Sequence, residues 1–238
     1  PSVVHVSDDV LTVGKIAKER LVTDPENTAQ LFKRSMGTNE IFYLDGEAFS
    51  ATDLSTLVVK QLVADAESYL GEKVDEVLIS VPAYFNEKQR SATKAIGQRL
   101  GIKVERLINE PSAAAIACHK IGKDESFIVF DFGGGTLDVS VVDCFDNVIS
   151  IVSIAGDNFL GGSDFDKAIA EDFCQSQGID LEKLDTKQKS SLLLSAERCK
   201  LKLQKEKLAA VSLTYDDQYY MKQYTQAELK SIIQPVLD

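Results

Sequence analysis

The sequence predicts an α/β fold of more than one lobe, and three observations carry that expectation. Short apolar runs of strand character alternate with stretches of helical period: Leu54, Leu57, Val58, Leu62, Val63 and Ala66 recur at helical spacing just before the apolar run at 76–81. Tight hairpins are interleaved with these units, one about Asp45-Gly46 and one about Gly133-Gly134-Gly135. The length, 238 residues with 44% hydrophobic side chains, suffices for one large domain or two ordinary ones.

Taken in order, residues 3–6 and 11–13 read as short strands around Ser7-Asp8-Asp9, and 16–21 as a short helix stopped by Thr23-Asp24-Pro25. Asn27-Thr28 reads as the cap of a helix over 29–35, which Gly37 ends. Residues 41–44 and 47–50 form the first hairpin. A long amphipathic helix spans 53–69, closed by Gly71. The strand at 76–81 is barred from continuing by Pro82. Asn86 caps a helix over 87–100, which Gly101 ends. A strand at 104–108 leads to Asn109-Glu110-Pro111, and Pro111 suits the first position of the alanine-rich helix that follows. Residues 127–130 and 137–142 pair as a hairpin, 148–154 adds a third strand, and Gly156-Asp157-Asn158 breaks it. Helices follow from near Asp164 and over 186–204, then strands at 211–215 and 219–222, then a helix from about Thr225.

Composition removes several classes of function. A net charge of -11 disfavours DNA, RNA and anionic membranes, so a phosphate ligand would be held by local donors and a cation. No apolar run is long enough to cross a bilayer, and the opening residues 1–6 are too short and mixed for a signal peptide. Cys118, Cys144, Cys174 and Cys199 lie far apart without a CxxC pair, which points to reduced thiols in a cytoplasmic protein rather than disulfides or zinc. His5 and His119, the only histidines, read as structural or surface residues.

The chemistry concentrates between two strand-like runs, in Asp131-Phe132-Gly133-Gly134-Gly135-Thr136-Leu137-Asp138. Three glycines let successive N–H groups turn inward as a nest for anionic oxygens. Two flanking carboxylates would repel a bare phosphate but suit one carrying a hydrated divalent cation. A plain glycine hairpin with polar turn residues is the alternative. Glu110 after a strand and Gly161-Gly162 before a helix are further candidates, because open α/β sheets place ligands at such points. Lys33 and Arg34 are surface cations by default, yet with Phe32 and Met36 beside them one of the two could aim inward.

Four motifs now fall in register: Val81-Pro82-Ala83-Tyr84-Phe85-Asn86, the run Arg106-Leu107-Ile108-Asn109-Glu110-Pro111-Ser112, the loop from Asp131 to Asp138, and Gly156-Asp157-Asn158-Phe159-Leu160-Gly161-Gly162-Ser163-Asp164-Phe165-Asp166. Together they closely resemble the nucleotide-binding domain of DnaK-type seventy-kilodalton heat-shock chaperones. The compact first segment is most similar to the HscC-like branch. The resemblance implies an actin-like ATPase fold (duplicated ribonuclease-H-like), two lobes around a cleft for ATP or ADP. Its implied divisions are 1–52 and 53–122, outer and inner parts of the first lobe, and 123–162 and 163–238, inner and outer parts of the second.

By position, Lys33 matches the lysine that orients the attacking water. Glu110 and Asp131 match acids holding hydrated Mg2+, and Asp138 an acid near that water and a monovalent ion such as K+. Gly133, Gly134, Gly135 and Thr136 match the second phosphate loop, and Gly161 and Gly162 glycines near the phosphates. Glu197 and Lys200 match the pair that sandwiches adenosine, though at i and i+3 on a helix they equally suit an ordinary solvated pair. Gln204 stands where the family commonly has a hydroxyl. Pro82 and Arg90 match the switch that reports nucleotide state to a substrate-binding domain.

The resemblance also implies a chaperone ATPase that works with a J-domain co-chaperone and a nucleotide-exchange factor on unfolded client peptides. It implies that the chain is the middle of that ATPase domain, lacking its first phosphate loop, its late adenosine motif and its peptide-binding domain, and is weakly active by itself. A small-molecule kinase of the same fold and a non-enzymatic partner-binding fragment are the alternatives. Detecting a phosphorylated sugar would favour the first of these.

Overall fold

A computed structural model of the chain describes residues 1–118, 124–146 and 148–237. His119 and the expected boundary between 122 and 123 lie outside the described residues.

The first segment is built on a three-stranded antiparallel sheet. Strands β1 (Val3–Ser7) and β2 (Val10–Val13) form a hairpin, α1 (Lys15–Thr23) crosses back, and β3 (Thr28–Gln30) pairs with the free edge of β1. Here the sequence expectation fails, because residues 29–35 are not a helix. A seven-residue helix is too short to hold itself in water, and Thr28 and Ala29 are instead buried opposite His5 and Val4. Leu31 then takes a left-handed φ of 59°, and Phe32–Ser35 forms a single 3-10 turn. The hairpin of β4 (Ile41–Leu44) and β5 (Glu47–Ser50) turns on Asp45-Gly46 as expected, both with positive φ.

Helix α2 (Ala51–Leu70) starts at a capping box in which Ser50 and Asp53 satisfy each other's backbone N–H, and ends on left-handed Gly71. Helix α3 (Glu87–Leu100) repeats the device with Asn86, Gln89 and Gly101. The two helices enclose a core with Val4, Phe32, Met36, Leu44, Leu54, Val81, Phe85 and Ile96. Between them β6 (Ile79–Val81) runs parallel to β7 (Leu107–Asn109). Both strands are shorter than expected, and upstream only an isolated bridge joins Glu76 to Lys103. Helix α4 (Glu110–Cys118) follows directly, with Pro111 as its second residue rather than its first.

Helix α4 packs on one face of an antiparallel meander, β8 (Glu125–Phe132), β9 (Leu137–Phe145) and β10 (Val148–Asp157), where Ala115 meets Val142 and Cys144. The opposite face leaves Ile128 and Phe130 exposed. Strand β10 does not break at Gly156; it runs on to Asp157, paired with Leu137, with a bulge between Ile151 and Ser153. Gly156 is there for space: a Cβ would lie 2.3 Å from the Leu137 carbonyl oxygen and 2.9 Å from the Tyr84 ring.

The last part has its own core. Helices α5 (Gly162–Gln177) and α6 (Thr186–Lys202) pack on the hairpin of β11 (Leu208–Tyr215) and β12 (Gln218–Thr225), and α7 (Gln226–Leu237) closes the chain. Phe173, Leu192, Leu203, Val211 and Tyr224 fill this core, and the buried Tyr224 hydroxyl donates to Asp172 at 2.8 Å. All four cysteines are free, Cys118 exposed and the others buried. Among the described residues no helix is long and apolar enough to cross a membrane.

Candidate functional site

The glycine loop between β8 and β9 is seated on the start of α5. The Gly133 N–H donates to the Thr136 carbonyl at 2.9 Å and closes the turn. The Gly162 and Ser163 N–H groups, unpaired within their helix by position, donate to the Gly133 and Gly134 carbonyls at 3.1 and 2.8 Å. Phe132 and Phe165 pack with ring centroids 5.5 Å apart.

This seat depends on the absence of a side chain at Gly161. A Cβ there would lie 2.4 Å from the Gly135 nitrogen and 2.6 Å from the Gly134 carbonyl carbon, both backbone and unable to swing aside. Gly161→Ala is therefore expected to unseat the loop and cost about 1–3 kcal/mol of stability, the usual penalty of overpacking. Chemical denaturation with a fluorescent or circular-dichroism readout checks this; an unchanged midpoint would show that the loop moves aside freely.

Two cations from the first segment reach the site. Lys33, on the 3-10 turn, places Nζ 2.9 Å from Glu110 Oε1. Its neighbour Arg34 turns the other way: Nε and Nη2 donate to the Gly135 carbonyl at 2.9 and 2.6 Å, and Nη2 to Asp164 Oδ2 at 2.7 Å. The sequence left open which of the two aims inward. Both are engaged.

Glu110, Asp131 and Asp138 lie close enough to influence one another. Asp131 and Asp138 are direct partners across β8 and β9, and Glu110 opens α4. Burial pushes the Asp138 carboxyl up to about 6, Glu110 and Asp131 add to the rise, and Lys33 opposes it. Asp138 is 4% exposed, and its buried Oδ1 has no hydrogen-bond partner among the described residues. Tyr84, whose hydroxyl donates to the Leu137 carbonyl at 3.4 Å, is held protonated up to about 12 by burial and by Asp138, Asp157 and Glu110. Three carboxylates beside one lysine leave the group short of positive charge, most acutely at the buried Asp138. Among the described residues no three His, Cys, Asp or Glu side chains converge closely enough to hold a metal directly. The donor set instead suits a cation that keeps its water and meets the carboxylates through it.

The remaining candidates are distributed around this centre. Lys200 donates to the Gly162 carbonyl at 2.6 Å and pairs with Asp166 at 2.7 Å, so it lies against the start of α5, on which the loop is seated. Glu197, one turn away, accepts from Lys18 of α1 at 2.6 Å. The two are not paired with each other. Pro82 is fully buried, and Arg90 fastens the loop behind it, donating to the Phe85 and Ala83 carbonyls and to Asn109 Oδ1 at 2.9, 3.0 and 2.8 Å. Asn109 immediately precedes Glu110, so Pro82, Arg90 and the acidic group form one connected stretch.

Arg34, Asp164, Lys18 and Tyr84 take part without having been assigned a role from sequence. For Asp164 a signal existed: it lies three residues after Gly161 and accepts that residue's N–H at 2.8 Å, the spacing of a capping box.

The family model described as Hsp70 protein matches residues 40–238 of the chain. The chain belongs to the Hsp70 family. Hsp70 nucleotide-binding domains have the actin-like ATPase fold, bind ATP or ADP with Mg2+, and generally work with J-domain proteins and nucleotide-exchange factors; the mixed α/β architecture described here is consistent with that fold. Every acid and glycine of the site lies within the Hsp70 match, while Lys18, Lys33 and Arg34 precede it.

Proposed function

We propose that this chain forms the ATP-binding and ATP-hydrolysing cleft of an Hsp70 chaperone, with the compact first segment of the HscC-like branch. The observation that carries the proposal is the convergence of Lys33, Glu110, Asp131 and Asp138, whose buried Oδ1 has no hydrogen-bond partner among the described residues, beside a glycine loop seated on a helix N-terminus.

In this reading residues 1–52 and 53–122 belong to one lobe and 123–162 and 163–238 to the other, with the nucleotide between them. Gly133, Gly134, Gly135 and Thr136 hold the phosphates, with Gly161 and Gly162 beside them. Glu110 and Asp131 would hold hydrated magnesium, which would supply charge neutralisation for the phosphate oxygens. Asp138 would serve the attacking water and a monovalent ion such as K+. Lys33 would orient that water by donating from its ammonium group. Phosphoryl transfer requires positioning and charge balance more than covalent help, so these groups suffice in kind. Glu197 and Lys200 border the adenosine, Lys200 being against the start of α5 at Gly162. Pro82 and Arg90, linked to Glu110 through Asn109, relay the occupied state to a peptide-binding domain. Client peptides, a J-domain co-chaperone and a nucleotide-exchange factor complete the cycle in the cytoplasm.

Calorimetric titration of the 238-residue chain with Mg·ADP, beside a version extended at both ends, tests the proposal. Saturable binding that disappears with a chelator is expected at least for the extended version. No heat from either would shift the assignment to a non-enzymatic partner-binding module.

A further inference from the structure

The assignments above leave Arg34 without a role, although it is the most heavily bonded side chain of the cleft. Its guanidinium is largely buried, 17% exposed, and spans three separate pieces of the chain. It leaves the same 3-10 turn as Lys33, meets the loop at the Gly135 carbonyl, and pairs with Asp164 at the start of α5. Its cation also lies over the Phe159 ring, 5.8 Å from the centroid.

Two features show that the turn is shaped for this contact. Leu31, which opens it, holds a left-handed φ of 59°, a conformation that costs a leucine energy and persists only where its surroundings enforce it. Gly135, the acceptor, is closely packed: a Cβ would lie 3.1 Å from Arg34 Nε and 3.2 Å from a Leu31 methyl carbon, so either side chain would have to give by a few tenths of an ångström. Strain on one side and close packing on the other meet at Arg34. Asp164 is committed as well, since it also accepts the Gly161 N–H.

We propose that Arg34 is a positioning residue, a clasp that holds the glycine loop on α5 and fixes the turn that presents Lys33. It touches neither the acidic group nor the position of a reacting atom. Consecutive residues of one rigid turn reach Glu110 and Gly135, so whatever fixes Arg34 fixes the base of Lys33. The guanidinium meets Gly135 with two nitrogens of one rigid planar fork while holding Asp164, and a lysine ammonium, a single point of charge on a flexible stem, does not fix the three groups in that geometry. The inference rests on the nucleotide reading above.

The test compares the unaltered chain with Arg34→Gln and Arg34→Lys by amide hydrogen exchange and by Mg·ADP calorimetry, after circular dichroism shows that each folds. In Arg34→Gln, amides of 133–136 and 161–163 are expected to exchange about tenfold faster or more while β11 and β12 stay protected, as for local rather than global opening. Mg·ADP affinity is expected to fall about tenfold, and Arg34→Lys, which keeps the charge but not the fork, should fall between. Unchanged exchange and affinity in Arg34→Gln, with binding by the unaltered chain intact, would overturn the clasp and leave the nucleotide reading standing. Full recovery by Arg34→Lys would overturn the fork geometry on which the clasp depends. Absence of Mg·ADP binding by the unaltered chain and by its extended version alike would overturn the nucleotide reading and, with it, the part of the clasp in binding.

Discussion

Lys33→Ala is expected to leave Mg·ADP affinity within about threefold while slowing single-turnover ATP hydrolysis by about 100- to 1000-fold, the size of a lost general catalyst or charge-stabilising donor. The asymmetry follows from what Lys33 touches. Its side chain is 47% exposed and makes one ion pair, to Glu110, so its loss costs the fold little. It forms no part of the glycine loop and does not contact Glu197 or Lys200. Its nearest electrostatic neighbours are carboxylates, and it is the one group named above that holds the Asp138 carboxyl down. Removing it takes away a donor and lets Asp138 protonate more readily; both changes fall on the chemical step. Rapid mixing with radiolabelled ATP separates that step from binding. A normal rate in the variant would remove Lys33 from the mechanism, and a lost affinity with a normal rate would make it a binding residue.

The long helices were legible in the sequence for a local reason. α2 and α3 each carry a capping pair three residues apart, Ser50 with Asp53 and Asn86 with Gln89, and each ends on a glycine that adopts the left-handed angle. Such signals involve no distant partner. The stretch at 28–35 failed for the opposite reason: its conformation is set by β1, some twenty residues upstream, and by the loop that Arg34 reaches. Gly156 looked like a strand terminator and is a point of close approach to Tyr84, which no local pattern reports. The site divides in the same way. Asp131, the glycines and Asp138 share one turn and announce their chemistry together. Arg34 meets partners 101 and 130 residues away, so its composition and spacing carried no trace of the contact. Lys200 was assigned to a ligand, and its position against Gly162 is compatible with that role without requiring it.

Asp138→Asn is expected to strengthen the ligand-free fold and to weaken function, with opposite signs from one cause. The Asp138 carboxyl stands near 6 in the folded chain against about 3.8 in an unfolded one, chiefly through burial. Between those values the folded state binds the extra proton, so stability is greatest below about pH 4, declines as pH rises through about 6, and is flat above. The two-unit gap corresponds to about 3 kcal/mol at neutral pH as an upper bound. Asparagine has the same shape and no charge, so Asp138→Asn should recover about 1–3 kcal/mol at pH 7 and nothing at pH 4. Urea melts at the two pH values measure this directly. Equal stability of the two proteins at pH 7 would mean that Asp138 is not held as a buried, unpaired charge. Under the proposed function the cost has a use: a carboxylate there, poorly solvated and lacking a protein partner at Oδ1 among the described residues, would be a ready ligand for a hydrated cation. Adding Mg·ADP should therefore stabilise the unaltered chain more than Asp138→Asn at pH 7 and narrow the difference between them. If the variant gained as much from Mg·ADP as the unaltered chain, Asp138 would be a strained residue that the nucleotide site does not use.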